Sequence, residues 1–494
     1  MRKPLGALTK DVAIYGAGDI AVTAAGYLLL PLYFRVLTQE DYGALALLLV
    51  VETVAKIVFR FGLDGAFMRY YLDCDTDEAR RRLGSTLVWF LLAASGTLVT
   101  LGLLTSPWLA RGLFGDLGSR YLPALQLVLV NMFLLTFTFV PFHLMRMQKA
   151  AVTFSAFTLG RSTATFLLRI ALVLWMQWGV TGLMLADLIV TAVMLPVLWP
   201  WARGVIGPVF SRDVLHTALR FGLPRLPHGL AQQALDGGNK YLLSLFFPLS
   251  SLGVYQISTT IGQAVKLFLS AFETGWAPFY YATARQPDAK EVFRKITTYG
   301  VAVLVLLAAG LTAIAGDLVR LLTMETPWSP DAYAQARIVI PLIAIGITWQ
   351  GVYLLTSIGL NLTSQTRYYP VATFAAAGVG LTSGLVLMPA FGLVGAAAAF
   401  VLSYLTLAIV AGHFARQHYP MTYETGRLVR VVLAGVVAGT AGVLLPDMAP
   451  LPGMFARGAT TTVIFVSWLA FNGFLRPTER ALILRVLGRT ERAR

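Results

Sequence analysis

The chain has 494 residues, 57% of them hydrophobic and 13% charged, with a mean hydropathy of +0.70. That is too little charge to cover a soluble protein of this length, and the recurrent apolar runs are each long enough to cross a ~30 Å hydrocarbon core as a helix. A transmembrane β-barrel is excluded because its strands alternate polar and apolar over about 10 residues, and the single cysteine, Cys74, excludes a disulfide framework or a cysteine-based metal site.

In chain order, the N-terminal MRKPLGALTKDVAIYGAGDIAVTAAGYLLLPLYF carries an apolar stretch too long for a signal-peptide core. No A-x-A-like site follows it, so it reads as an uncleaved first span over 11–36. Further spans are predicted at 42–68, 84–106, 121–146, 151–177, 179–201, 214–246 and 253–283. The remainder fall at 297–317, 335–363, 369–389, 391–415, 428–446 and 454–475, fourteen in all. Twelve or thirteen spans are the alternatives.

Sorting Lys and Arg by loop gives 26 on one side and 4 on the other, with 9 of the 39 inside spans. The positive-inside rule then places both termini in the cytoplasm and favours an even number of spans. The net charge of +15 is mostly this topology signal, so nucleic acid is not an expected partner. Outward loops are short, such as TQEDY (38–42), PLSS (248–251) and PAFG (389–392), leaving no room for an extracytoplasmic catalytic domain. A faint repeat links YFRVLTQEDYGALALL to LSLFFPLSSLGVYQIS about 210 residues later. Six spans separate the copies, so the repeat is parallel, with a pseudo-two-fold along the membrane normal.

The second span carries Glu52, Lys56, Arg60 and Asp64 at steps of four. On a helix such residues drift by about 40° and rise about 6 Å per step, forming one slanted stripe. Lys56 falls near mid-depth, where a charge facing lipid is costly, so the stripe faces protein or water. Neutralisation within the i,i+4 pairs Glu52–Lys56 and Arg60–Asp64 is the competing reading. The fifth span has Arg161, Thr165 and Arg169 on one stripe with no acid in that helix. The seventh has Arg225, His228, Gln232, Asp236 and Lys240, together with Pro224, Pro227 and Gly237–Gly238, which are read as breaks and candidate hinges. The eighth has Gln256, Thr259, Gln263, Lys266, Ser270 and Glu273 on one polar face, and the tenth Gln350, Tyr353, Ser357, Asn361 and Ser364. Five polar stripes are most simply arranged around a shared aqueous cavity. Lys56, Arg161 and Lys266 fall at similar depth and suit a diphosphate or other polyanion; a salt-bridge lattice between bundles is the alternative. Asp19, Glu52, Asp64, Asp236 and Glu273 are candidates for charge pairing or for H⁺ or Na⁺ coupling. No metal site, other cofactor or catalytic triad is expected.

LPLYFRVLTQEDYGALALL followed by FGLDGAFMRYY resembles the N-terminal signature of the polysaccharide-transporter (O-antigen flippase) family. That family belongs to the multidrug/oligosaccharidyl-lipid/polysaccharide exporter superfamily. LRFGLPRLPHGLAQQALDGGNKYLLSLFFPLSSLGVYQIS is similar to the start of its second bundle. Where the family has an acid followed by Arg or Lys, this chain has Asn239–Lys240, with Asp236 as a candidate replacement.

The resemblance implies an all-α membrane protein of two six-helix bundles, 1–203 and 204–415, and a region 416–494 with two added helices and a basic cytoplasmic tail. It implies a non-enzymatic flippase in a bacterial inner membrane, moving a lipid-diphosphate-linked oligosaccharide to the periplasmic leaflet by alternating access. Polysaccharide polymerase machinery is then a candidate partner. On that reading Lys56, Arg60, Arg161 and Lys266, with Arg225 and Lys240, would meet the diphosphate or acidic sugars. Gln263, Gln350, Tyr353 and Asn361 would meet sugar hydroxyls. A multidrug exporter and a lipid II flippase of the same superfamily are the nearest rivals, and a membrane glycosyltransferase or polymerase a more distant one.

Overall fold

A computed structural model describes residues 30–148, 150–323 and 330–476. Asp19 and most of the first predicted span lie outside them. Among the described residues there is no strand. The helices are α1 (Leu30–Val36), α2 (Gln39–Arg60), α3 (Leu63–Tyr71), α4 (Asp77–Phe114), α5 (Gly118–Thr136), α6 (Phe139–Met147), α7 (Ala151–Ile170, continued by a π-turn) and α8 (Gly179–Ala202). Then follow α9 (Arg212–Gly222), α10 (Leu226–Phe246), α11 (Leu249–Gly262), α12 (Val265–Thr283), α13 (Ala289–Thr323), α14 (Pro330–Thr356) and α15 (Ile358–Leu362). The last are α16 (Tyr368–His418, turned at Gly392), α17 (Thr425–Val443) and α18 (Pro450–Phe471). Predicted spans two to fourteen each coincide with one helix, one interrupted pair, or one arm of α16.

The interruptions differ from the sequence reading. The second, fourth, eighth and tenth spans, expected to be continuous, break at Phe61–Gly62, Phe137–Thr138, Gln263–Ala264 and Ser357. The seventh breaks at the 3-10 turn Leu223–Arg225, beside Pro224 and Pro227. Gly237–Gly238, expected to break that span, lie inside the unbroken α10. There they bring neighbours close: a Cβ at Gly238 would touch Leu381 at 3.3 Å.

A broken helix in a membrane must find donors for the carbonyls it frees, and here side chains join the backbone of the turns in supplying them. Arg60 Nη2 donates to the Leu135 carbonyl at 3.3 Å and Ser95 Oγ to that of Phe59 at 2.6 Å. Tyr369 Oη donates to the Ser357 carbonyl at 3.1 Å.

The repeat noticed in the sequence is a physical contact. A Cβ on Gly43 of α2 would lie well inside 3.0 Å of the Leu249 carbonyl, and one on Gly253 of α11 equally close to that of Gln39. Each glycine therefore meets the carbonyl four residues before the other, so α2 and α11 cross backbone to backbone with two-fold reciprocity. The start of α2 is fixed by a capping box between Thr38 and Asp41. Asp41 also accepts from Arg120 at 2.9 Å and from Tyr121 Oη at 2.8 Å, tying α2 to α5. Further along the bundle, toward the side that the basic loops assign to the cytoplasm, Gly62 (φ +67°) abuts Gly222.

The last two helices dock on α13 through buried arginines. Arg457 donates to Asp317 at 2.8 Å and to the carbonyls of Gly442 and Val443 at 2.9 and 2.8 Å. Arg427 pairs with Glu424 at 2.8 Å and lies over the Phe474 ring at 4.4 Å. Glu424 also accepts from Thr298 of α13. Both arginines have buried carboxylate partners, as a salt-bridge lattice predicts, but at the edge of the fold.

Candidate functional site

A cavity of about 540 Å³ opens among α2, α5, α6, α7 and α8. Its charged lining is basic: Arg60, Arg146, Arg161, Arg169 and His143 against Glu52 and Asp187. The predicted stripe Arg161–Thr165–Arg169 lines it along its length. The fifth span was read as two arginines without an acid; the structure matches one of them. Arg169 donates to Asp187 of α8 at 2.6 Å. Arg60 is held by the Leu135 carbonyl and by Asp64 at 4.0 Å, and Arg146 lies over the Phe154 ring at 4.6 Å. Among the described residues, Arg161 has no ion pair and no hydrogen bond through its side chain.

Of the two i,i+4 pairs in the second span, Arg60–Asp64 forms at 4.0 Å, across the Phe61–Gly62 break. Glu52–Lys56 is not an ion pair within 4 Å. Lys56 is exposed and lies within electrostatic reach of Glu52, Arg60, Asp64 and Arg161. Arg161 has a second environment as well. On its other side it lines an apolar groove of about 570 Å³ between α7 and α8, with Gly160, Ala164, Val193 and Val197.

The second half arranges its polar residues differently. Lys240 lies within reach of Asp236 and Lys266, and neither lysine is ion-paired among the described residues. Asp236 accepts from Tyr404 Oη and, at 3.5 Å, from Gln232. Arg225 sits at the 3-10 turn over the Phe221 ring and reaches Gly65 of α3. Gln263 falls at the α11–α12 break, and Gln350 Oε1 is buried without a partner. Tyr353, Asn361 and Glu273 line a separate cavity of about 350 Å³, together with His228, Gln232, Trp276, Tyr280 and Tyr369. The polar face of the eighth span is divided: Gln256 and Thr259 are buried in packing at 7% and 3% exposure, and only its Glu273 end lines this cavity.

Several lining residues lay outside the sequence-based candidates. Trp276 and Tyr280 read as core aromatics in an apolar helix. The signal that could have singled them out is spacing, since Glu273, Trp276 and Tyr280 share one face at i, i+3 and i+7. His143 and Arg146 on α6 were not among the candidates, because the α5–α6 break beside which they line the cavity leaves no mark in the apolar pattern.

A family model described as "Polysaccharide biosynthesis protein" matches residues 33–330. Among solved structures, the fold is similar to "Lipid II flippase MurJ, inward closed conformation", with TM-score 0.78 at 12% identity, covering 95% of this chain and 100% of that one. It is also similar to an inward-facing multidrug resistance MATE family transporter of the MOP superfamily, with TM-score 0.68 at 14% identity, covering 83% and 95%. A MOP superfamily transporter from Pyrococcus furiosus, titled for the reverse polarity of its binding pocket, gives TM-score 0.54 at 15% identity, covering 86% and 96%. A comparison with curated proteins finds no match. At these identities the structural likeness establishes the fold: an all-α membrane protein of two six-helix bundles with two further helices.

Proposed function

Because this chain belongs to the polysaccharide biosynthesis protein family, its match covering more than half the sequence, we propose that it is a flippase. It moves a lipid-diphosphate-linked oligosaccharide from the cytoplasmic to the periplasmic leaflet of a bacterial inner membrane by alternating access. The observation that carries this reading is the position of Arg161. Among the described residues its guanidinium has no hydrogen-bond or ion-pair partner, and it lines both a basic cavity and an apolar groove. An anionic head joined to a long apolar chain fits that pair of surfaces. Guanidinium and ammonium groups bind phosphate oxygens through charge-assisted hydrogen bonds. Lys56 and Arg60 add positive charge beside it, while Lys240, Lys266 and Arg225 offer charge from the other half. Glu52 and Glu273, which have no ion pair within 4 Å among the described residues, are the candidates for H⁺ coupling. Both termini would face the cytoplasm, with a polymerase as a downstream partner on the other side. A multidrug exporter, whose cargo is usually cationic, is disfavoured by this basic lining.

The test is to delete the gene and determine which leaflet holds the lipid-linked glycan. Cytoplasmic retention that is reversed by wild type but not by Arg161→Ala supports flipping. Arg161→Ala suits the purpose because it removes no hydrogen bond or ion pair among the described residues. Normal surface glycan with altered dye resistance would overturn the reading in favour of drug export. Accumulation of peptidoglycan precursor instead would assign the other lipid cargo.

A further inference from the structure

The cavity at Trp276 contrasts with the one at Arg161. Among the described residues its lining holds no Lys or Arg; the charged or titratable members are Glu273 and His228, and the rest is aromatic, amide, hydroxyl and aliphatic. Tyr280 Oη is the acceptor for Asn361 Nδ2 at 3.1 Å, and Asn361 also lies within hydrogen-bonding reach of Tyr369. Trp276 is only 4% exposed, and its Nε1 is a buried donor without a partner. His228 Nδ1 is likewise buried and unpartnered. Buried polar atoms normally find partners, and two residues in the walls of this cavity each carry one that has none, the His228 atom a donor or an acceptor according to its tautomer. The volume of about 350 Å³ lies at the small end of ligand-site sizes.

We infer that this cavity is a saccharide subsite that receives an uncharged sugar ring of the cargo's glycan. The inference rests on the flippase reading above and deepens it. A sugar ring carries hydroxyls that both donate and accept, and C–H faces that are apolar. The Trp276 N–H, the His228 imidazole, the Asn361 and Gln232 amides and the Glu273 carboxylate match the hydroxyls with both donors and acceptors. The Tyr353 and Tyr369 rings, 6.3 Å apart at 85°, wall the apolar faces. A diphosphate does not fit, because Glu273 would repel it and no cation lines the wall. An aromatic or quaternary cation fits poorly for the opposite reason. It would want exposed ring faces, whereas Trp276 is already covered by Phe279 (5.8 Å, stacked) and Phe293 (6.2 Å, edge-on) and presents an N–H that a cation cannot accept. The two cavities therefore divide one amphiphile: anion at Arg161, glycan at Trp276.

The experiment uses the full-length protein in nanodiscs and two probes, bare polyprenyl diphosphate and the polyprenyl-diphosphate-linked oligosaccharide purified from the same cells. Trp276→Phe keeps the ring and removes only an N–H that has no partner in the fold, so a merely structural role predicts no effect. We expect it to weaken the glycan-bearing lipid by about threefold to tenfold, as for loss of one hydrogen bond, and to leave the bare diphosphate unchanged. Asn361→Ala should act in the same direction. Unchanged binding of both probes, or equal weakening of both by both variants, overturns the subsite. If wild type binds neither probe but binds tetraphenylphosphonium, the flippase reading itself fails. That outcome is distinct from failure of the subsite alone.

Discussion

The cavity at Arg161 and the cavity at Trp276 share three of their four walling spans when the two halves are counted six spans apart. The first is walled by the second, fourth, fifth and sixth spans and lies beside the break at Thr138; the second is walled by the seventh, eighth, tenth and eleventh and lies beside the break at Ser357. At both breaks a distant side chain adds a donor to a carbonyl of the turn, Arg60 to Leu135 in one half and Tyr369 to Ser357 in the other. The backbone solution is shared while the chemistry is opposite: a guanidinium in one half, a phenol in the other. The same contrast runs through the linings, with four arginines on one side and an acid among aromatics on the other. A repeated scaffold thus holds two different subsites, and the difference lies in side chains that do not bear on whether the helices pack.

If the scaffold is equivalent in the two halves, disturbing it from either side should have equal consequences. Gly43→Val and Gly253→Val each drive a side chain into the partner's backbone carbonyl, a strain of about 1–3 kcal/mol. Both should prise apart the crossing of α2 and α11. In a Cys74→Ser background, a cysteine at Gln39 should then react faster with an impermeant maleimide, to a similar extent in the two variants. The double variant should add little, because both strain one contact. Unequal effects, or simple additivity, would break the reciprocity. A smaller effect separates a true break from an apparent one. Gly62 has φ +67° and sits against Gly222, so Gly62→Ala should cost about 1–3 kcal/mol. Gly238 lies in an unbroken helix, where Gly→Ala gains roughly 0.5–1 kcal/mol of helix stability against a modest contact with Leu381. Its melting temperature in detergent should therefore move little. A large loss at Gly238 would restore it as a hinge.

Span placement was legible because apolar length alone fixes it, and spans two to fourteen lie where the hydrophobic runs do. The breaks were not legible, since Phe61, Phe137 and Ser357 leave the apolar pattern undisturbed and tertiary donors such as Ser95 and Arg60 help to make them tolerable. Gly237–Gly238 misled for the converse reason: glycine permits a bend, but here it serves close packing. Intramembrane charges were legible as a set, yet their pairing was not. Arg169 with Asp187 and Arg457 with Asp317 join residues from different helices, and spacing along one helix says nothing about them. Arg161 stood out in the sequence as a charge without an acid in its own helix, and the described residues supply none from elsewhere within 4 Å.

The central claim is that Arg161 is held unpaired to meet a lipid diphosphate. The most direct measurement is the affinity of the purified protein for polyprenyl diphosphate relative to the matching polyprenol, in wild type and in Arg161→Ala. Wild type should prefer the diphosphate, and Arg161→Ala should reduce that preference by roughly tenfold to a hundredfold, the value of a hydrogen bond to a charged group. Polyprenol binding should be unaffected. An unchanged preference in Arg161→Ala, or a wild type that does not distinguish the two lipids, would contradict the account.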